Sequence, residues 1–89
     1  MRMTTDAKPR QVDGLEVNEA EDGLVVYDPT TDVVHHLNAS AAVIFELCDG
    51  TRNAEAIARV LAEAYGLPAP PTEEALAGLA DLFERALVR

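Results

Sequence analysis

The two histidines of this chain, His35 and His36, are the first candidates for metal binding or acid–base chemistry. They lie within a run of residues that favours an extended backbone. Neighbouring side chains on a strand point to opposite faces, so the pair cannot chelate one metal ion together. We expect them to be ordinary polar residues of a strand. One of them could still reach a groove while the other faces solvent or the core.

Cys48 is the only thiol in the sequence. A reactive thiol needs exposure and a nearby cation or helix N-terminus. Cys48 instead lies near the end of a predicted helix, between Glu46 and Asp49, and neighbouring negative charge raises a thiol pKa. The sequence therefore predicts a core residue. A single cysteine allows no internal disulfide, which is typical of a reducing compartment.

Several carboxylates surround the first predicted strands and turns: Glu16, Glu19, Glu21, Asp22, Asp28 and Asp32. Their spacing does not match a calcium-binding loop. The chain also has no Gly-rich phosphate loop, no CxxC motif and no Ser-His-Asp order. We therefore expect an acidic, solvated rim and no catalytic residues, no metal and no cofactor. Such a rim could steer a basic peptide or protein towards the domain.

The length of 89 residues corresponds to one small domain. Residues 1–11 are polar and predict a flexible tail, and residues 12–89 predict the domain. Sixteen acidic residues against seven basic ones give a formal charge of -9, which repels phosphate backbones and anionic membranes. The start lacks a signal peptide, and no apolar run approaches a membrane span of ~20 residues. The sequence predicts a cytoplasmic protein without nucleic-acid or membrane partners.

Three short segments have the alternation and composition of strands: residues 15–17, 24–27 and 33–37. An Asp22-Gly23 pair separates the first two, which is a hairpin signal. Residues 28–32 contain Pro29 and predict a turn before the third strand. The first strand should be half-buried. These connections are short enough for an antiparallel meander.

Beyond residue 38 the apolar residues recur with helical spacing. The first predicted helix begins at a cap, Asn38 or Ser40, and ends at Asp49-Gly50. A second helix runs from a cap at Asn53 to Gly66. A Pro-rich link covers residues 67–71, and Thr72 is expected to cap the third helix. The predicted fold is α+β, with the order β-β-β-α-α-α and a winged helix-turn-helix-like arrangement.

The third strand is the most specific candidate for a binding site. A three-stranded sheet has two edges with unpaired backbone groups, and proteins usually blunt such edges with Lys, Pro or a bulge. Residues 33–36 contain neither Lys nor Pro. An extended peptide could therefore add there as a further strand. Two alternatives stay open: this strand could be central, or Leu87 and Val88 could cover its edge.

The segment from Leu24 to about Leu61 resembles the PqqD family of peptide chaperones, also called RiPP recognition elements. The resemblance is carried by Leu37-Asn38 after a β run and by Cys48-Asp49-Gly50, with a following Ile57-Ala58 helix. It implies three strands followed by three helices. It also implies a non-catalytic function: binding the leader segment of a ribosomally made precursor peptide and presenting it to a maturation enzyme.

In that family the leader adds to the third strand and packs against the third helix. Carried over, the resemblance makes Val33, Val34, His35 and His36 the strand contacts. The corresponding candidates for the helical wall are Leu76, Leu79, Ala80 and Phe83. The partner enzyme would be a radical SAM enzyme, a leader peptidase or a cyclase. The sequence does not decide whether the domain forms a homodimer through the same edge.

A different class of function is a winged-helix domain that binds nucleic acid or regulates transcription. The second and third helices would then be candidates for the recognition helix. Each carries a single basic residue, Arg59 or Arg85, and acidic residues outnumber it in both helices. Affinity for nucleic acid depends on Lys and Arg contacts to phosphates. The charge pattern therefore favours peptide binding over this alternative.

Overall fold

A computed structural model describes residues 7–89 of the chain. Three strands come first, followed by three helices. Their bounds are β1 Glu16–Ala20, β2 Gly23–Asp28, β3 Val33–Asn38, α1 Ala39–Leu47, α2 Ala54–Tyr65 and α3 Thr72–Glu84. The sheet is antiparallel in the order β1-β2-β3. The predicted α+β fold and the order of its elements are confirmed.

The central strand β2 holds the sheet in register. Its burial alternates, with Leu24 and Val26 facing the core and the neighbouring Val25 and Tyr27 half-buried. Gly23 begins β2 opposite the end of β3, where the two backbones lie very close together. A Cβ atom at Gly23 would overlap the carbonyl oxygen of Leu37. Glycine is therefore required for this close approach.

Strand β1 is more exposed than its sequence pattern predicts. Val17 is 44% exposed, although it pairs with the fully buried Val26. Of the three helices, only α1 packs against the sheet. It contacts β2 and β3 but not β1. The prediction of a half-buried first strand was wrong for Val17, because alternation shows which side chains share a face but not how far the helical layer extends.

Two of the predicted helix caps have the expected geometry. The side chain of Asn38 accepts a hydrogen bond from the Ala41 amide, and that of Asn53 accepts one from Ala56. Gly66 ends α2, as predicted, and it adopts the left-handed conformation. Thr72 is not a cap. Pro71 precedes α3 without a side-chain cap bond, and Thr72 is already the first helical residue.

The core lies between the sheet and α1 and continues between the three helices. Phe45 of α1, Ile57 of α2 and Leu79 of α3 are all fully buried there. Leu87 and Val88 add two more buried side chains beyond the end of α3. Among residues 7–89, no helix has the length and apolarity needed to cross a bilayer.

The two ends of the described chain pair with each other. Arg10 and Arg89 exchange backbone hydrogen bonds of 2.8 Å, and the Val12 amide donates to the Leu87 carbonyl over 3.0 Å. Pro9 is fully buried. Residues 1–6 of the predicted tail lie outside the described residues. Residues 9–11 are not tail-like, because each takes part in backbone hydrogen bonds with the body of the domain.

Candidate functional site

Strand β3 lies at a free edge of the sheet. Among the described strands it pairs only with β2, so it is not a central strand there. Leu87 does not cover it either, since its carbonyl accepts from Val12, and Val88 forms a bridge with Gln11. Both alternatives to an open edge are therefore excluded within the described chain.

The hairpin geometry determines which backbone groups of β3 point outwards. The residues flanking a two-residue hairpin loop exchange hydrogen bonds, and the sides then alternate along each strand. Ala20 and Gly23 flank such a loop, so Leu24, Val26 and Asp28 bond towards β3. Their partners are Leu37, His35 and Val33. The N–H and C=O groups of the intervening Val34 and His36 consequently point away from the sheet.

Arg85 reaches one of these outward groups. Its guanidinium donates a hydrogen bond to the backbone carbonyl oxygen of His36 over 3.4 Å. The same side chain forms an ion pair with Asp81 at 3.2 Å. Arg85 caps α3 at its C-terminal end. This long contact therefore links the end of α3 to the free edge, and it agrees with the outward direction of the His36 carbonyl.

A gap separates β3 from α3. No Cα atom of α3 lies within 8 Å of a Cα atom of β3, and both elements are fully described. Neighbouring strands of a sheet are about 4.8 Å apart. The backbone of α3 therefore does not cover the edge of β3, and the side chain of Arg85 reaches it.

The four predicted strand residues have different surroundings. Val33 and Val34 are 43% and 54% exposed. His35 pairs with the buried Val26 and is half-buried on the helical side of the sheet, whereas His36 is exposed on the opposite side. The two histidines thus face in opposite directions, as strand geometry predicts. Among residues 7–89, no cluster of three or more His, Cys, Asp or Glu residues could hold a metal ion.

The four predicted residues of the helical wall are not together beside β3. Leu79 is fully buried in the core, and Ala80 is exposed to solvent. Leu76 and Phe83 are half-buried against the core. Phe83 lies two positions from Arg85, or about 200° around the helix. These side chains therefore lie on a different side of α3 from the contact with β3.

A different flank of α3 faces the edge, and the sequence pattern had not indicated it. It is formed by Glu74, Gly78, Asp81 and Arg85, at helical spacing. The first three of these residues, together with Asn38 at the end of β3, line a cavity of about 400 Å³. Gly78 was the signal in the sequence that could have identified this flank, because a glycine in mid-helix indicates a close approach or an open surface.

The thiol of Cys48 has no role at this site. Its side chain is 1% exposed, and its sulfur donates to the Ile44 carbonyl over 3.1 Å. Burial, with a smaller effect from the charge of Asp49, raises the pKa of the thiol to about 12. The prediction of a core cysteine is confirmed. Asp49 accepts from the backbone and side chain of Thr51, so the Cys48-Asp49-Gly50 motif stabilises the turn after α1.

The basic side chains of α2 and α3 are both engaged with carboxylates. Arg59 pairs with Glu55 at 2.7 Å, and Arg85 pairs with Asp81. These pairs reduce the positive charge that either helix could offer to a phosphate backbone. The geometry of α2 and α3 gives no support to nucleic-acid binding.

Comparisons with known proteins agree with this architecture. A solved structure with the same fold is the solution NMR structure of the PqqD truncation of Methylobacterium extorquens PqqCD, described as a functional and stand-alone RiPP recognition element. The TM-score is 0.79 at 22% sequence identity, and the alignment covers 99% of this chain and 95% of that one. No curated protein sequence matches the chain.

The family described as Coenzyme PQQ synthesis protein D (PqqD) matches residues 23–88, from the start of β2 to the residue before the last. That range includes the free edge, the cavity and all three helices. The chain therefore belongs to the PqqD family.

Proposed function

We propose that this domain binds an extended segment of a precursor peptide as a fourth strand along β3. The observation that carries the proposal is the free edge itself. Val34 and His36 direct N–H and C=O groups away from the sheet, and the backbone of α3 stays away from them, although the Arg85 side chain donates to the His36 carbonyl. Main-chain pairing at such an edge supplies affinity, while neighbouring pockets supply specificity.

The side chains around the edge support the same function. Val33 and Val34 are large apolar side chains that stay exposed on β3. Residues 33–36 contain no Lys or Pro that would discourage pairing. An edge without Lys or Pro would be a risk for aggregation unless a partner strand used it. A leader segment with alternating apolar residues fits this surface.

The domain acts without chemistry of its own in this proposal. Its two histidines face apart and its thiol is buried, so neither the histidines nor Cys48 provides a paired acid and base or an activated nucleophile. It presents the bound peptide to a maturation enzyme, such as a radical SAM enzyme, a leader peptidase or a cyclase. The PqqD family and the fold shared with the solved recognition element support this role.

An NMR titration tests the proposal directly. ¹⁵N-labelled protein is titrated with the leader segments of precursor peptides encoded near its gene. We expect the largest shifts at the amides of Val34 and His36, with a dissociation constant of about 1 μM. The amides of β1, on the opposite edge, are the internal control. Binding that leaves Val34 and His36 unshifted would overturn strand addition.

A second copy of the domain could occupy the same edge and form a homodimer. The shifts of Val34 and His36 would then depend on protein concentration before any peptide is added. Titrating the protein alone distinguishes this outcome from peptide binding.

A further inference from the structure

The cavity at the end of β3 lies where all three helices meet, and we call it the three-helix pocket. Its floor is apolar, with Ala41 and Ile44 from α1 and Leu61 from α2. Tyr65 and Leu67 form a rim at the end of α2. A volume of about 400 Å³ is sufficient for one or two amino-acid residues, at the low end of small-ligand sites.

Large exposed apolar side chains of the described chain occur at the pocket rim and, separately, on β3. Five large ones are exposed, and four of them belong to β3 or to the pocket rim: Val33, Val34, Tyr65 and Leu67. Exposed apolar side chains that lie close together often mark a binding surface, whereas single exposed ones do not. The pocket adjoins the Asn38 end of β3, whereas Val33 and Val34 lie at the other end of the strand, so Tyr65 and Leu67 are the exposed apolar residues of the pocket itself.

Gly78 keeps the pocket open. A Cβ atom at this position would lie 2.8 Å from Cδ1 of Ile44. Any side chain here would therefore occupy the space above the apolar floor. Glycine costs helix stability, roughly 1 kcal/mol relative to Ala in a helix interior, so its presence in α3 favours access to the floor over helix propensity.

The charged side chains that line the pocket, among the described residues, are all acidic. Over residues 7–89, the lining includes the carboxylates of Glu74 and Asp81 and no Lys or Arg. Asp81 pairs with Arg85, which lies outside the lining. Within the described residues, Glu74 forms no ion pair with a basic side chain. A formal charge of -9 on the whole chain adds to the attraction for a cation.

From these observations we infer that the three-helix pocket binds an aliphatic residue of the peptide that is followed or preceded by Lys or Arg. The aliphatic side chain packs on Ala41, Ile44 and Leu61, and the cation meets the carboxylate of Glu74. This inference rests on the proposed peptide-binding function and specifies the peptide it selects. Since Asn38 is two residues beyond His36, the anchor residue lies about 7 Å past the edge contact at ~3.3 Å per residue.

Capped dipeptides test the pocket separately from strand addition, because they are too short to pair along β3. The probes are Ac-Leu-Lys-NH2, Ac-Leu-Glu-NH2 and Ac-Ser-Lys-NH2, each titrated into ¹⁵N-labelled protein up to millimolar concentrations. We expect Ac-Leu-Lys-NH2 to shift the amides of Gly78 and Leu67. The other two dipeptides should bind at least about threefold more weakly, because each lacks one of the two contacts.

Exposed residues supply the matched variants. Glu74→Gln should remove the preference for Lys over Glu in the dipeptide, whereas Glu73→Gln, a neighbouring carboxylate outside the lining, should leave it unchanged. Leu67→Ser should weaken every Leu-containing probe. Val17→Ser on β1 is its control, because Val17 is similarly exposed, at 44% against 41%.

Three results would overturn the inference. The first is equal binding of all three dipeptides, and the second is a set of shifts that excludes Gly78 and Leu67. The third is a shift of these amides with protein concentration alone, which would assign the pocket to a second copy. None of these bears on strand addition, which depends on the leader-induced shifts of Val34 and His36.

Discussion

The guanidinium of Arg85 donates a hydrogen bond to the backbone carbonyl oxygen of His36, 49 positions earlier in the chain. An added strand would use the same carbonyl, since it points away from the sheet. Arg85 therefore competes with a peptide for one acceptor of the edge in the free protein. Its side chain is 36% exposed and already paired with Asp81, so it can withdraw while keeping its ion-pair partner.

Replacing Arg85 with Ala is expected to strengthen peptide binding by about two- to fivefold. A peptide would no longer displace a surface hydrogen bond, which is worth roughly 0.5–1 kcal/mol. The measurement is the dissociation constant of a leader peptide by fluorescence anisotropy. Arg59→Ala is the matched control, because Arg59 forms a similar ion pair four residues apart on α2. Weaker binding by the Arg85 variant would instead make Arg85 a contact of the peptide.

Two proline variants of β3 should separate binding from folding. Val34→Pro removes an outward N–H, so we expect a folded domain that binds the leader peptide at least about tenfold more weakly. His35→Pro removes an N–H that bonds to β2, so it should unfold the sheet. Circular dichroism and anisotropy report the two properties. If both variants behaved alike, the assigned direction of the backbone groups would be wrong.

The close approach at Gly23 predicts a large loss of stability. Gly23→Ala should lower the free energy of unfolding by more than about 3 kcal/mol, because the carbonyl of Leu37 cannot move aside without breaking the ladder. Gly66→Ala should cost about 1–2 kcal/mol, since its left-handed backbone opposes a side chain but the space is open. Urea denaturation measures both. A smaller cost at Gly23 than at Gly66 would contradict this view of the β2–β3 junction.

The buried thiol predicts slow labelling and a dependence of stability on alkaline pH. At pH 8, iodoacetamide should modify Cys48 at least about a hundredfold more slowly in the folded protein than in urea. The folded thiol keeps its proton up to a pKa of about 12, whereas its ordinary value is 9.0. Above pH 9 the unfolded chain therefore binds fewer protons than the folded one, and stability falls as pH rises towards 12.

The variant Cys48→Ala checks the second effect. Its free energy of unfolding should fall less steeply than that of the native protein between pH 9 and 11, and the two should run parallel below pH 8. Equal slopes in the alkaline range would show that Cys48 ionises in the folded state as it does in the unfolded one.

The sequence by itself determined the number, type and order of the elements. These depend on contacts between residues near each other in the chain, such as the alternation of β2, the caps at Asn38 and Asn53, and the left-handed turn at Gly66. The sequence also predicted that Cys48 is a core residue. Helical spacing and the acidic neighbours of Cys48 can both be read from residues close to it in the chain.

Only the tertiary structure decided which groups surround the candidate site. Amphipathic spacing on α3 identifies a buried face, but packing against α1 and α2 determines which flank then faces β3. That flank contains Gly78 and Arg85, whereas the family resemblance had implied Leu76 and Phe83. Likewise, the free edge of β3 depends on where the end of the chain goes. Its last residues pair with residues 10–12, a contact across the whole chain that no local pattern encodes.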